Sequence, residues 1–280
     1  MNKLIADSGA IKTDWCLING TEVLKRYSSK GISPVFQSQL EITNEIGVNI
    51  FPVFNKWEIS GIYFYGSGCT EENIPIVKKA IQQSFPIEDI EVNSDLVAAA
   101  RSLCGYEAGI ACILGTGSNS CEWNGTTIVK QVSPLGFILG DEGSGASMGK
   151  KLIGDALKNQ LTKGLKEQLM EEYDLTPAII IDRVYRQPFP SRFLASLSPF
   201  IKKHITDESV KRIVVESFTD FLKRNVMQYN YSELTVNFVG SIGWHYNILL
   251  REIAENMGLK VGKIEKSPIN GLIEFHSKLI

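Results

Sequence analysis

CILGTGSNSCEWNG, residues Cys112 to Gly125, sets a Gly-Thr-Gly-Ser-Asn-Ser run between two apolar-leaning segments and then turns at Asn124-Gly125. The flanking segments read as strands, and Asn-Gly is a strong hairpin signal. A plain hairpin needs two turn residues, so six small, hydroxyl-rich ones call for another reason. Backbone N–H groups unshielded by β-carbons can approach an anion closely. The same pattern opens the chain: "KLIAD" (3–7) and "TDWCLI" (13–18) flank a Gly-containing turn, and "NGT" (19–21) leads into "EVLKRYSS". Trp15 recurs as Trp123, and Asn19-Gly20 as Asn124-Gly125, at nearly one offset. The chain therefore reads as two copies of one strand-turn-strand unit.

After the first meander the apolar spacing predicts a helix over about 37–51, a buried strand at "GIYFYG" (61–66), a helix over about 71–85, a short strand near "IEVN" and a helix from Asp95. Residues 143–229 read as mainly helical, with "PSRFLASLSPFIKKHI" one of the helices and Asp207 an N-cap. A strand "LTVNFVGSIG", a helix over 245–257, a strand "LKVGKI" and a last helix from about Ile269 follow. This predicts an α/β chain with an N-terminal domain over 1–108 and a second over 109–267 that carries a helical insertion. Residues 268–280 would cross back to complete the first.

Lys and Arg total 29 against 31 Asp and Glu, a net charge of −2. No basic excess exists to hold a nucleic-acid backbone, which favours a small-molecule ligand. No apolar run approaches the roughly 20 residues of a bilayer span, and "MNKLIADSGAIKTD" lacks a leader's apolar core. A cytoplasmic protein without a membrane partner is expected. Five cysteines with no C-x-x-C pair suit buried thiols better than a disulfide or zinc framework. His204, His245 and His276 lie far apart in sequence and are expected at surface or edge positions, not on a metal. No G-x-x-x-x-G-K-[ST] occurs, and "GTGSNS" lacks the third glycine of the dinucleotide fingerprint and leads into a strand.

Four Gly/Ser/Thr turns end apolar strands: "ADSGAIKTD" (6–14), "LGTGSNS" (114–120), "LGDEGSG" (139–145) and "VGSIG" (239–243). With "VNSDLVAAARS" between the first two, they resemble, in order, the phosphate-1, catalytic, phosphate-2, substrate and adenosine segments of the sugar kinase/Hsp70/actin superfamily. Within it the chain is similar to the N-acetylglucosamine kinase branch, grouped with the BadF/BadG/BcrA/BcrD ATPases. The resemblance implies two ribonuclease H-like domains, mixed sheets flanked by helices, with an ATP cleft between them. It implies transfer of the γ-phosphate of ATP, with Mg²⁺, to N-acetylglucosamine or a related cell-wall sugar, and it allows a homodimer.

Residue by residue, the resemblance makes Asp7 the carboxylate that holds Mg²⁺ through water, in a first phosphate hairpin with Gly9, Lys12 and Thr13. Asp95 matches the base that takes the proton of the sugar hydroxyl. Gly115, Thr116, Gly117 and Ser118 match the second phosphate loop, and Gly240 and Ser241 lie against the adenosine. Ser33, Asn119, Gly136 and Asp141 fall on the sugar side. Read without the resemblance, Asp7 caps a turn and Asp95 caps a helix.

The chain also departs from the pattern. Ile11 and Ala10 replace a Thr and a Gly of the first hairpin, Pro134-Leu135-Gly136 replaces Gly-Trp-Gly, and the sugar-contacting Asn is missing near Ser33 and Val35. Two other activities share the fold. One is a BadF-type activator ATPase, which needs cysteines for a bridging iron–sulfur cluster; the other is a non-catalytic sugar sensor.

Overall fold

The computed structural model describes residues 1–9 and 11–278, so the replacement at Ala10 lies outside the described residues. The chain separates into two compact units. One comprises Met1–Glu107, Gly125–Thr127 and the segment from Ser267 onward; the other comprises Ala108–Asn124 and Ile128–Lys266.

The first unit opens with β1 (Asn2–Ser8), β2 (Lys12–Asn19) and β3 (Glu22–Lys30), an antiparallel meander in register from Asn2↔Asn19 to Ser8↔Thr13. A capping box of Ser38 and Glu41 starts α1 (Gln39–Glu45), which runs through a π-helical turn at Ile46–Ile50 into α2 (Phe51–Phe54). Then β4 (Ile59–Gly66), α3 (Ile74–Ser84), β5 (Ile90–Ser94) and α4 (Asp95–Cys104) alternate. β4 pairs with β1 in parallel, and β5 with β4, giving the order β3-β2-β1-β4-β5. The central β1 is covered on both faces. Leu4 and Ala6 pack with Trp15, Leu17 and Phe64, whereas Ile5 packs with Cys16, Ile18 and Tyr65. That two-sided burial is why its sequence is continuously apolar instead of alternating.

The second unit repeats the meander with β6 (Ala108–Leu114), β7 (Ser118–Asn124) and β8 (Ile128–Gln131). Its helices α5 (Gly136–Leu139), α6 (Gly145–Leu157), α7 (Leu165–Glu172), α8 (Pro177–Tyr185), α9 (Pro190–Ala195), α10 (Ser198–Lys203) and α11 (Glu208–Arg224) precede β9 (Val236–Val239). Then α12 (Ser241–His245), α13 (Asn247–Asn256) and β10 (Val261–Glu265) complete the unit. The sheet order β10-β9-β6-β7-β8 has the connectivity of the first sheet, and Trp15 and Trp123 are both buried.

Three expectations are revised. The single helix over 190–205 is two, α9 and α10, each with a proline in its first turn; Pro199 has no N–H to continue the preceding helix. The strand expected to run to Gly243 ends at Val239, because Gly240 leaves the extended conformation and Ser241 begins α12. The Gly-Thr-Gly-Ser-Asn-Ser run is a three-residue turn, since Leu114 pairs with Ser118 and Ser118–Asn119–Ser120 already belong to β7.

The last helix, α14 (Ile269–Ser277), belongs to the first unit, where Ile269, Leu272 and Ile273 cover Ile5, Cys16 and Ile18. His276, expected at a surface or edge, is fully buried on its inner face. Burial, then the nearby Arg101 and Lys3, lower its pKa to about 3, so the ring is neutral. Tyr65 Oη lies 2.8 Å from Nε2 and itself accepts from Arg101 Nη1 at 2.7 Å; Arg101 also reaches Glu91 at 2.8 Å.

α14 approaches α4 so closely that a β-carbon on Gly271 would stand 2.3 Å from the Ser102 carbonyl oxygen. Gly271→Ala is expected to push α14 off α4 and lower stability by about 1–3 kcal/mol, the usual range for overpacking. A urea titration followed by circular dichroism measures it, and an unchanged midpoint contradicts the packing.

Candidate active site

In the first unit the parallel registers align Ser8, Gly66 and Ser94 across β1, β4 and β5. The residues next to them, Asp7, Ser67 and Asp95, therefore gather at the carboxyl ends of these strands, the edge where open α/β sheets take ligands. Asp95 is not the helix cap expected of it. Ser94 caps α4, accepting from Val97 N–H at 3.3 Å, and Asp95 is the first helical residue. Burial raises the Asp95 pKa, opposed by bonds from the Leu96 N–H, the Ser67 side chain and its own N–H.

Asp7 is pushed up to about 7, first by burial, then by the charges of Asp95 and Asp14, with Lys12 opposing. Asp14, directly across the ladder, is held by Lys12 at 2.7 Å and by Ser28 Oγ at 2.7 Å. Gly9 closes the first hairpin by donating to Lys12 O at 2.9 Å. The structure corrects the role expected of Thr13. It is fully buried, its hydroxyl 2.7 Å from Ser8 Oγ and donating to Lys30 O at 3.0 Å, so it is a strut of the hairpin and not a group open to phosphate. Lys12 is exposed, and Ile11 stands out at 69% exposure. Ser33 is half-buried, with its N–H on Gln37 Oε1 at 2.8 Å and its hydroxyl 3.4 Å from Ser67 O.

In the second unit the turn after β6 and the N-terminus of α6 hold one another. Gly145 and Ala146 N–H donate to the carbonyls of Gly115 and Thr116 at 2.9 and 3.0 Å, and Ser144 caps α6 through the Ser147 N–H. Gly115 N–H is committed to Gly117 O at 2.9 Å, and the buried Ser118 donates its N–H to Asp141 Oδ1 at 3.3 Å. The Ser118 N–H is therefore turned to the carboxylate and is not open to phosphate. The N–H groups of Thr116 and Gly117 remain uncommitted among the described residues.

Asp141 has a left-handed backbone, φ 52°, in a loop where Leu135, Gly136 and Gly143 also have positive φ. Such strain persists where the surroundings fix it, often at binding sites. Burial raises the Asp141 pKa, with the Ser118 N–H opposing. Asn119 lies on β7, its Oδ1 accepting from Ser120 N–H and Gln131 Nε2 at 2.9 and 3.2 Å. Gly136 is exposed at the start of α5, and among the described residues no hydrogen bond joins it to Asp141.

Gly240 (φ 122°) runs so near the end of β6 that a β-carbon would lie 2.3 Å from Leu114 O. That approach brings Ser241 to the Gly115-Thr116 turn, and the three line one pocket of about 550 Å³. Ala195, Pro199, Lys202 and Tyr246 also wall it. Its lining is largely apolar and includes Thr116, whose N–H is uncommitted among the described residues, which suits a flat base carrying phosphate. Sequence reasoning missed Lys202, Tyr246 and Ser67. The first two sit in stretches read as plain amphipathic helix, and Ser67 follows a stretch read only as a buried strand.

Among the described residues no cluster of three or more His, Cys, Asp or Glu is placed to hold a metal by itself. Mg²⁺ is typically bound through one or two carboxylates, with water and substrate phosphates completing its shell. Asp7, a carboxylate in a net negative setting beside Asp95 and Asp14, fits that need. No helix among the described residues is long and apolar enough to cross a membrane.

No family model and no curated protein matches the sequence. Solved structures do. A candidate N-acetylglucosamine kinase from Porphyromonas gingivalis is 46% identical, with a TM-score of 0.96 over 99% of this chain and 99% of that one. A candidate N-acetylglucosamine kinase from Chromobacterium violaceum gives 0.77 at 15% identity over 98% of each chain. A ROK family glucokinase from Streptomyces griseus, solved with glucose and AMPPNP, gives 0.59 at 13% identity over 98% and 97%. The last two bear on the fold alone.

A carboxyl whose folded pKa lies above its unfolded value contributes stability below the unfolded value and loses it as pH rises through the folded one. For Asp7 that window runs from the ordinary 3.8 to about 7. Without nucleotide or metal, Asp7→Asn is expected to melt higher than wild type at pH 8 and level with it near pH 4. Parallel melting curves across that range would contradict the account of Asp7.

Proposed function

The chain belongs to the family of N-acetylglucosamine kinases, sugar kinases of the actin-like ATPase fold, and from that premise we propose that it phosphorylates an amino sugar with ATP. N-acetylglucosamine or a related cell-wall sugar is the acceptor, and the γ-phosphate passes directly to one of its hydroxyls. The observation that carries this reading is the placement of Asp7 and Asp95 at the carboxyl ends of β1 and β5, parallel strands on either side of β4. The reading takes ATP and Mg²⁺ as cofactors and a cytoplasmic site of action, and it includes no nucleic acid, in keeping with the net charge of −2.

Each group has work suited to its surroundings. Asp95 accepts the proton of the acceptor hydroxyl while that oxygen bonds to the γ-phosphorus, and ADP leaves with the electrons of the broken P–O bond. Burial helps here, because a carboxylate held above its ordinary pKa is a stronger base once ionised. Asp7 is the carboxylate to which Mg²⁺ would be held; bound there, the ion would offset charge on the phosphates. The free N–H groups of Thr116 and Gly117 meet phosphate oxygens, and the pocket shared by Thr116, Ser241 and Tyr246 takes the nucleoside. Asp141 and Asn119 hold hydroxyls of the sugar.

A coupled assay of ADP release with a panel of amino sugars tests the reading. Wild type is expected to turn over an N-acetylated sugar, and Asp95→Asn to lose about 10²–10⁴ in kcat while still binding ATP. ADP release that ignores both the sugar and the Asp95 substitution would overturn it. Because Asp95 must be ionised to act, the wild-type rate is also expected to fall on acidification with a midpoint above the ordinary carboxylate value of 3.8.

A further inference from the structure

The cavity that joins the Gly115-Thr116 turn to Ser241 has two ends. One is fixed around Gly145, whose N–H donates to Gly115 O at 2.9 Å. A β-carbon on Gly145 would stand 3.0 Å from Ser198 Oγ and 3.3 Å from Ile242, so both residues sit beside the turn. Four residues beyond each, on the same helical face, come Lys202 of α10 and Tyr246, whose N–H donates to Ile242 O at 3.2 Å. A helical turn advances about 5.4 Å, and Lys202 and Tyr246 wall the cavity at its other end. A nucleotide with phosphate on the uncommitted Thr116 N–H carries its base toward that end.

Two lysines close α10, and their surroundings differ. Lys203 is paired with Glu172 at 2.7 Å. Lys202 is exposed and makes no ion pair among the described residues. Its ammonium donates to the His245 carbonyl, in the last turn of α12, at 2.6 Å, and stands 5.1 Å from the centre of the buried Tyr246 ring. The carbonyl and the ring hold the cation in place, and two of its three N–H donors stay free. A fixed cation on the wall of a largely apolar cavity, with spare donors and no carboxylate partner, is suited to orient a ligand that brings acceptors.

We propose that Lys202 reads the base of the phosphate donor: its ammonium, steadied by the His245 carbonyl, donates to a ring nitrogen of a purine seated between Tyr246 and Pro199. This role deepens the reading of ATP as the donor and rests on it. Lys202 fixes the nucleotide and takes no part in the transfer of the phosphate.

Isothermal titration of ATP and of inorganic tripolyphosphate into wild type, Lys202→Met and Lys202→Arg tests the role. Lys202→Met keeps the length of the side chain and loses the donors. It is expected to weaken ATP binding about tenfold or more, as loss of a hydrogen bond to a charged group does, with tripolyphosphate affinity and melting temperature unchanged. Lys202→Arg, which keeps charge and donors, is expected to bind ATP more tightly than Lys202→Met. Should tripolyphosphate bind wild type too weakly to measure, adenosine takes its place, and its affinity is expected to fall as that of ATP does.

A wild-type affinity for ATP in Lys202→Met overturns the role alone. Equal losses for ATP and tripolyphosphate, or an unchanged affinity for adenosine, also overturn it and place the lysine on the phosphates. A lower melting temperature with ATP affinity intact would make Lys202 only a cap of α12. A wild-type protein that binds no ATP overturns the nucleotide reading, and this role with it.

Discussion

A carboxylate loses most of its hydration when it is buried, and a second negative charge nearby makes it harder still to ionise. The first unit builds that situation at the carboxyl ends of β1 and β5, where Asp95 and Asp14 both act against the charge on Asp7. Much of the local structure answers this tension. Lys12 and Ser28 hold Asp14, while polar groups around Asp95 oppose the effect of its burial. Among the described residues no hydrogen bond reaches the Asp7 carboxylate, and Lys12 alone opposes the rise in its pKa. A site in which the protein stabilises one carboxylate and leaves its neighbour in want of a cation suits a reaction in which cation and phosphate arrive together.

The second unit uses the same strand connectivity for another end. Where the first sheet delivers carboxylates, the second delivers backbone donors at Thr116 and Gly117 and a concave wall at Ser241 and Tyr246. The difference lies in a few residues at equivalent turns. β1 carries Asp7 near its end whereas β6 ends in Ile113 and Leu114, and β4 is followed by Ser67 whereas its counterpart β9 is followed by Gly240, close against Leu114. Duplication thus supplies the frame, and divergence at strand ends supplies two chemistries.

The frame was legible because its signals are local and repeated. Trp15 and Trp123, the paired Asn-Gly turns and the apolar runs of β1 and β6 each fix a strand by composition alone, and a duplicated pattern reinforces each copy. The candidate site was legible where residue type dictates role, as at Asp7, Asp95 and Asp141. It was not legible where burial decides. Thr13 has the composition of a phosphate ligand, yet the β1-β2 register places it opposite Ser8 in the interior. Ser118 turns its N–H to Asp141, a contact made by a loop that folds back under strain. His276 looked like a terminal surface residue until α14 was seen to lie across the sheet.

The return of α14 to the first unit bears on how the chain leaves the ribosome. The first unit is synthesised first, yet the cover that Ala98 of α4 lends to Ile5, Cys16 and Ile18 is completed only when Leu272 and Ile273 emerge. Lys3 meets its partner, the His276 carbonyl, 273 positions downstream. Closure of that unit requires a contact across nearly the whole nascent chain, and bringing such distant segments together is slow compared with forming local turns. The second unit, contiguous apart from Gly125–Thr127, is free to close earlier. During synthesis the half of the molecule that carries Asp7 and Asp95 is therefore the last to become solid, and its apolar face is the surface on which a chaperone would find the unfinished chain.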